Sequence, residues 1–190
     1  MSITVHDTPI SGLKVVEHQV FGDHRGFFFE VWNRDRFAQH GLPTEFVQAN
    51  HSSSSRGVVR GLHFQYEPPM GKLMRVTRGE AFLVAVDIRF DSPTRGKWHA
   101  IRASEDNKLQ FWGGAGFARG FCALSEICEV QYLCTGTYNS KGESGVLWND
   151  PEIGVEWPVE GEPTLSDKDR NAQTLAQWFE RPEARLFKMD

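Results

Sequence analysis

Apolar and polar residues alternate over short stretches of the chain, and scattered glycines and prolines separate these stretches. The clearest example is 79–89, where Phe82, Val84, Val86 and Ile88 share one parity and predict a strand with one buried face. Many short strands between turn residues are typical of an all-β sandwich or barrel. The further predicted strands are 13–20, 26–32, 45–51, 57–65, 72–78, 97–103, 108–112, 127–135 and 145–149.

Two short helices are predicted by residues that suit helix starts. Asn33 is a suitable N-cap for a helical turn over 34–39. Ser166, followed three residues later by Asp169, has the form of a capping box and predicts a helix that runs toward Trp178. We therefore expect a mainly β protein with minor helices.

The composition is that of a soluble globular protein, with 39% hydrophobic and 24% charged residues. One core is sufficient for this length, so we expect a single domain over residues 1–190. The net charge of -4 argues against a partner of nucleic acid, because such domains are usually basic. No apolar run approaches the ~20 residues that span a membrane. Since the N-terminus also lacks the pattern of a signal peptide, a cytoplasmic location is expected.

The segment 57–65, Gly-Val-Val-Arg-Gly-Leu-His-Phe-Gln, contains a candidate for acid–base chemistry. Histidine is the commonest general base, because its ordinary pKa lies near working pH, and this makes His63 the candidate. A core histidine bonded to a backbone carbonyl explains the segment equally well. Regular alternation would place Arg60 and His63 on opposite faces, and a bulge or twist at Gly61 would bring them together.

Several polar residues have both a structural and a functional interpretation. Tyr132 lies on the apolar face of its predicted strand, where a core tyrosine with one hydrogen bond is the commoner explanation. Asp169 is either the third-position carboxylate of the predicted capping box or a partner of the histidine. Arg25 and Glu30 flank the aromatic run Gly26-Phe-Phe-Phe29, and a solvated salt bridge on an edge strand would account for them.

Six motifs stand in order between about residue 5 and about residue 180, and together they resemble the dTDP-4-dehydrorhamnose 3,5-epimerase family. The resemblance implies a homodimeric jelly roll of the cupin type, with short peripheral helices and no metal or other cofactor. It also implies an isomerase that inverts C3 and/or C5 of a nucleotide-linked 4-keto-6-deoxy sugar. The motifs are Phe21-Gly-Asp-His-Arg-Gly-Phe-Phe-Phe-Glu30, Gln48-Ala-Asn-His-Ser-Ser, Arg60-Gly-Leu-His-Phe-Gln65, Gly71-Lys-Leu-Met-Arg75, Trp148-Asn-Asp-Pro-Glu-Ile-Gly-Val-Glu-Trp-Pro158 and Leu165-Ser-Asp-Lys-Asp169.

The resemblance also implies a role for individual residues. His63 would be the base, Asp169 its dyad partner and Tyr132 the opposing acid, with Lys72 beside the sugar ketone. These residue types suit the chemistry, because a C4 ketone acidifies the hydrogens on C3 and C5 and a nearby cation stabilises the enolate. The residues implied to hold the nucleotide sugar are Arg25, Glu30, Gln48, Asn50, Arg60, Arg119, Tyr138, Glu143 and Lys168.

Arg119, in Gly114-Ala-Gly-Phe-Ala-Arg-Gly-Phe121, stands where the family usually has a histidine. If Arg119 lies in the pocket, it would bind an oxygen or phosphate and narrow the space around the sugar. Reaction at C3 would then outpace reaction at C5, or the sugar would differ. If Arg119 lies at the rim, it would pair with Glu143 or a similar carboxylate. The same arginine, with Phe64-Gln65 after His63, argues against the histidine cluster of metal-binding cupins.

Two other functions remain open at this stage. One is an epimerase that inverts a single carbon or uses another nucleotide sugar, and the other is a catalytically silent module that binds nucleotide sugars. The joint presence of His63, Asp169, Lys72 and Tyr132 counts against the silent module. A homodimer is expected because the strand 13–20 would leave an exposed edge that a second copy could cover.

Overall fold

The computed structural model describes residues 1–189, and most of its regular structure is β-strand. The strands are β1 Ile3–Asp7, β2 Leu13–His18, β3 Phe21–Asp23, β4 Gly26–Phe28, β5 Gln48–Ser55, β6 Val59–Gln65, β7 Lys72–Arg78, β8 Glu80–Asp87, β9 Trp98–Ser104, β10 Gln110–Gly113, β11 Phe117–Ala123, β12 Ile127–Cys134 and β13 Glu143–Gly145. The helices are α1 Arg34–Gln39, α2 Asp167–Arg170 and α3 Leu175–Glu180, followed by a 3-10 helix over Pro182–Leu186. Among residues 1–189, no helix is long and apolar enough to cross a membrane.

Two antiparallel sheets pack face to face. A six-stranded sheet has the order β1-β2-β10-β7-β12-β5, and a five-stranded sheet has the order β13-β6-β11-β8-β9. This arrangement, with short helices at the periphery, confirms the predicted jelly roll. The inner core between the sheets contains Ile10, Leu13, Met74, Val76, Ala81, Leu83, Ala85, Ala103, Phe111, Phe117, Phe121, Ala123, Cys128 and Val130.

The five-stranded sheet is also covered on its outer face. Val84 and Val86 of β8 belong to a second core with Leu175 and Trp178 of α3, while their neighbour Leu83 belongs to the inner core. The prediction of one exposed face for 79–89 is therefore wrong, since both parities of this strand are buried. Aromatic packing adds about 0.5–1.5 kcal/mol per pair beyond area burial, and the rings of Phe64 and Trp178 lie 4.5 Å apart.

Several strand predictions differ from the structure, and the strand expected over 145–149 shares only Gly145 with β13. β11 was not predicted because all seven of its residues are buried, which removes the alternation that reveals a strand. The strand expected over 26–32 ends at Phe28 and forms a two-stranded hairpin with β3. The predicted strand 13–20 is no edge, because β2 lies between β1 and β10 and the edge of the sheet is β1.

The two predicted helix starts are present, but the second helix is interrupted. Asn33 accepts hydrogen bonds from the backbone N–H groups of residues 35 and 36, at 3.1 Å each. Ser166 accepts from the N–H of Asp169 at 3.1 Å, yet α2 stops at Arg170. α3 then begins with a complete capping box of its own, formed by Thr174 and Gln177. The Asp169 carboxylate, in the first turn of α2, bonds to His63 of the five-stranded sheet.

Candidate active site

A cavity of about 500 Å³ opens between the two sheets. The five-stranded sheet supplies one side, which we call the histidine wall: Val59, Arg60, His63, Arg119, Gly120, Phe121 and Glu143. The six-stranded sheet supplies the opposite side, which we call the lysine wall: Ser52, Lys72, Met74 and Tyr132. The remaining lining comes from the residue before β6 and from the segment that leads into α2, namely Val58, Thr164, Leu165, Ser166 and Asp169.

An irregularity in β6 brings Arg60 and His63 to the same cavity. β11 pairs Arg119 with His63 and Phe121 with Arg60, so β6 contains one extra residue between the two pairs. Gly61 allows this close approach, because a Cβ there would lie 2.6 Å from the Cα of Gly120. Its φ of +127° is also strained for other residues. The bulge expected at Gly61 is therefore present.

The His63 ring and the Asp169 carboxylate form a hydrogen-bonded pair in the cavity wall. The bond joins His63 Nε2 to Asp169 Oδ1, and the Asp169 side chain is 4% exposed against 27% for His63. Burial acts to raise the pKa of Asp169, but hydrogen bonds from His63, Ser166 and the Gly61 backbone outweigh it and hold that pKa below its ordinary value. The carboxylate thus stays ionised and fixes the orientation of the imidazole.

On the lysine wall, Lys72 and Tyr132 lie together. The Lys72 Nζ atom is 5.1 Å from the centre of the Tyr132 ring. Burial and the positive charge of Arg119 lower the pKa of Lys72 to about 8. Burial also raises the pKa of Tyr132, which keeps its phenol protonated at neutral pH. The wall therefore presents a cation and a hydroxyl donor toward the histidine.

Glu143 of the cavity wall bonds to two other predicted binding residues, Lys168 and Tyr138. Its Oε2 atom accepts from Lys168 Nζ at 2.6 Å and from the Tyr138 hydroxyl at 2.9 Å. Burial acts to raise the pKa of Glu143, and these two bonds together with the charge of His63 lower it below its ordinary value. The carboxylate is accordingly an acceptor for further hydroxyl groups.

Gln48 and Asn50 lie on β5, next to the lysine wall, and Arg60 of the histidine wall contacts the same strand. Asn50 lies opposite Tyr132 in the register of β5 and β12. The Gln48 amide donates to the Asn50 side-chain oxygen at 3.1 Å. Arg60 donates from Nε to the Ser54 hydroxyl at 3.0 Å. Of these three residues, Arg60 lines the cavity, whereas the side chains of Gln48 and Asn50 bond to each other and to neighbouring protein atoms.

Arg119 is a buried part of the histidine wall and is 4% exposed. Its Nη2 atom donates to the carbonyl of Met70 at 2.6 Å, and its Nη1 atom donates to the carbonyl of Phe117 at 2.8 Å. Both nitrogens also reach the carbonyl of Gly114, at 3.3 and 3.2 Å. The alternative of a rim arginine paired with Glu143 is wrong, because Arg119 is buried. The expectation that Arg119 in the pocket binds a substrate oxygen or phosphate is not met either, because both terminal nitrogens donate to backbone carbonyls, while Nε has no hydrogen-bond partner among the described residues.

Arg25 and Glu30 are not part of this cavity within one chain. Arg25 lies on the exposed hairpin of β3 and β4 and pairs with Asp23 at 2.6 Å. Glu30 pairs with Arg36 of α1 at 2.5 Å. The sequence suggested one solvated salt bridge to account for Arg25 and Glu30, but each of them pairs with a different residue instead.

Two apolar members of the cavity, Met74 and Phe121, were not predicted from the sequence. Each lies two residues after a predicted site residue on the same strand, Met74 after Lys72 and Phe121 after Arg119. Strand alternation places such residues on one face, so the spacing was a usable signal. Within residues 1–189, no three His, Cys, Asp or Glu side chains are grouped to hold a metal ion.

Comparison with known proteins agrees with this geometry. Residues 7–177 match the family described as dTDP-4-dehydrorhamnose 3,5-epimerase. A dTDP-4-dehydrorhamnose 3,5-epimerase from Methanothermobacter thermautotrophicus is 48% identical over 172 residues, which cover 90% of this chain and 93% of that protein. A dTDP-4-dehydrorhamnose 3-epimerase from Streptomyces niveus is 40% identical over 170 residues, covering 88% and 82%.

The fold agrees equally well with a solved structure. The crystal structure of a dTDP-6-deoxy-D-glucose-3,5-epimerase from Legionella pneumophila, in complex with dTDP-4-keto-L-rhamnose, superposes with a TM-score of 0.91. The two chains are 40% identical, and the match covers 99% of this chain and 98% of the other. The sequence match, the shared fold and the cavity therefore lead to one conclusion: this chain belongs to the dTDP-4-dehydrorhamnose 3,5-epimerase family of isomerases.

Proposed function

We propose that this protein is a 3,5-epimerase of dTDP-4-dehydro-6-deoxyglucose in deoxysugar biosynthesis. The observation that carries the proposal is the position of the His63–Asp169 pair on one wall of the cavity, with Lys72 and Tyr132 on the other. A silent binding module has no need for an oriented base opposite a protonated phenol. The cavity volume of about 500 Å³ is also in the range of small-molecule sites, roughly 300–1,000 Å³.

His63 acts as the base in this proposal. The C4 ketone of the sugar acidifies the hydrogens on C3 and C5, because loss of either proton gives an enolate. Since Nε2 of His63 is held by Asp169, Nδ1 accepts the proton. The Asp169 carboxylate then stabilises the imidazolium that forms, as in other histidine–carboxylate pairs.

Lys72 and Tyr132 complete the reaction from the opposite wall. The Lys72 ammonium stabilises the negative charge that develops on the C4 oxygen. The Tyr132 hydroxyl returns a proton to the other face of the ring carbon, which inverts its configuration. Glu143, Lys168, Tyr138, Gln48, Asn50 and Arg60 bind hydroxyl and phosphate oxygens around the sugar.

A homodimer explains why Arg25 and Glu30 lie outside the cavity of their own chain. The hairpin of β3 and β4 exposes 63% of Phe27 and 61% of Phe28, and such a surface is suited to burial against another protein. We propose that this hairpin reaches the cavity of a second copy, where Arg25 grips the diphosphate and an aromatic ring stacks on the base. Sedimentation at micromolar concentration should give the mass of a dimer, and a monomer would contradict this.

Proton exchange tests the proposed function directly. The protein is incubated in deuterium oxide with dTDP-4-dehydro-6-deoxyglucose, and the sugar is followed by proton NMR. Loss of the C3 and C5 signals, together with formation of the epimerised sugar, is the expected result. Binding of the sugar without exchange at either carbon would identify a silent module and reject the proposal.

Inversion at C3 alone is the second candidate, and Arg119 favours it. Its buried side chain fills the histidine wall next to His63, and a relative that is 40% identical is a 3-epimerase. Exchange of the C3 proton without exchange of the C5 proton in the same NMR experiment would support this function. Equal exchange at both carbons would select the 3,5-epimerase.

A further inference from the structure

Arg119 links the two walls of the cavity. In the register of the five-stranded sheet, Arg119 is the direct partner of His63. Its guanidinium leaves that sheet and donates to the carbonyl of Met70, which precedes Lys72 by two residues. One side chain therefore connects the strand beside the histidine to the start of the strand that carries the lysine.

The segment before Lys72 is held on its other side by Thr135, the residue that follows β12. The N–H of Gly71 donates to the Thr135 hydroxyl at 2.8 Å, and the N–H of Thr135 donates to the Gly71 carbonyl at 3.1 Å. Trp112 closes the space around Gly71, because a Cβ there would lie 2.3 Å from the indole ring. On the side of the histidine wall, the N–H of Met70 donates to the carbonyl of Gln65 of β6 at 3.2 Å. Arg119 adds a side-chain contact to the Met70 carbonyl, and this contact comes from β11, the strand paired with His63.

We propose that Arg119 is a positioning residue, which holds the Lys72 segment opposite His63 for the epimerisation proposed above. Its two terminal nitrogens donate to three carbonyls: those of Gly114 and Phe117, which precede Arg119 in the chain, and that of Met70, which lies next to Lys72. An arginine can make these bonds together because its donors lie in a fixed plane. Shorter side chains with fewer donors cannot replace all of them.

Arg119 also affects the charge on Lys72. Burial is the largest cause of the lowered pKa of Lys72, and the positive charge of Arg119 is the next. The charged or titratable groups that act on this ammonium are Arg119 of β11, Cys134 of β12, Glu143 of β13 and Lys168 of α2, and the Tyr132 ring of β12 also faces it. Since protonated Lys72 stabilises the enolate, activity should fall as the pH rises past about 8.

Two substitutions separate the geometric part of this role from the electrostatic part. Arg119→Met removes both the carbonyl bonds and the charge, while Arg119→Lys keeps a charge but cannot bind the three carbonyls. We expect kcat to fall roughly 10- to 100-fold in both variants with KM little changed, since small misplacements of reacting groups cost that much. The alkaline limb of the pH profile should move upward in Arg119→Met and remain near its original position in Arg119→Lys.

Val84→Ala is the matched control, because Val84 is a fully buried residue of the neighbouring strand that belongs to the outer core. This variant should lose stability while kcat and the alkaline limb stay unchanged. Wild-type kcat in a folded Arg119→Lys, or an unmoved limb in a folded Arg119→Met, would overturn the positioning role. If Arg119→Met does not fold, the kcat and KM of Arg119→Lys decide the proposal.

The wild-type protein is assayed first, so that failure of the proposed function can be distinguished from failure of the role proposed for Arg119. A wild-type protein that neither exchanges nor epimerises the sugar rejects the proposed function. Turnover by the wild type, with variants that match it in kcat and pH profile, rejects only the role of Arg119.

Discussion

His63 on one wall of the cavity is held by the Asp169 carboxylate, whereas Lys72 on the other wall forms no ion pair with any residue between 1 and 189. Asp169 is held in turn by the start of α2 and by hydrogen bonds from Ser166 and the Gly61 backbone. Lys72 is surrounded by a tyrosine ring, a buried cysteine and a buried arginine.

The different surroundings of His63 and Lys72 suit them to different steps of the proposed reaction. An ionised carboxylate beside His63 orients the ring and favours its cationic form once a proton has arrived. Burial next to the positive charge of Arg119 lowers the pKa of Lys72, so its ammonium group loses its proton more easily. No carboxylate among residues 1–189 forms an ion pair that would balance its charge. Negative charge that develops on a bound sugar would supply that compensation, and this makes the lysine wall most favourable when the enolate has formed.

The largest effect is expected from loss of the base. His63→Ala should lower the rate of exchange at C3 and at C5 by about 10³-fold, within the range found for general acid–base groups. His51→Ala is the matched control, because His51 and Glu129 form a histidine–carboxylate pair at 3.1 Å on the surface. Wild-type exchange at both carbons in a folded His63→Ala would show that His63 is not the base.

Removal of the cation should have the next largest effect. Lys72→Met should lower kcat by about 10²-fold, which is typical for loss of one group that stabilises an oxyanion. The alkaline limb near pH 8 should disappear with it, since Lys72 is the group with a pKa of about 8. The control is the exposed Lys97→Met, and an alkaline limb that persists in Lys72→Met would assign it to another group.

A smaller effect is expected from the hairpin outside both walls. Arg25→Ala should raise KM roughly 10-fold and leave kcat little changed, because a charge-assisted hydrogen bond to phosphate contributes about 1.5–3 kcal/mol. Arg34→Ala serves as the control, since this exposed arginine pairs with Glu45 on the surface. An unchanged KM in a dimeric Arg25→Ala would show that Arg25 of the hairpin does not bind the substrate.

Only part of the histidine wall could be predicted from the sequence. The family resemblance led to His63 as a candidate, and the structure places His63 in the cavity. β11, which pairs with its strand, could not be predicted, because both of its faces are buried and it shows no alternation. The capping signal at Ser166 was correct, but it could not reveal that the helix breaks after Arg170 or that the Asp169 carboxylate bonds to His63. The position of Arg119 depended on the same missed strand.

The lysine wall was more predictable. β7 was predicted with its observed bounds at Lys72 and Arg78, and the apolar parity of β12 correctly placed Tyr132 beside the inner core. The lowered pKa of Lys72 could not be predicted, because it arises from burial and from Arg119, which comes from the other sheet. The alternation of apolar and polar residues predicts which face of a strand is buried. Contacts between residues of different sheets can be identified only from the three-dimensional structure.

Tyr132→Phe offers the most direct test of a base and an acid on opposite walls. In deuterium oxide, His63 should still remove and return protons on its own face, so the recovered sugar should gain deuterium without inversion. Inversion at the carbon that needs the phenol should slow by about 10²-fold, while Tyr66→Phe should behave as wild type. Inversion at wild-type rates at both C3 and C5 in Tyr132→Phe would contradict the account.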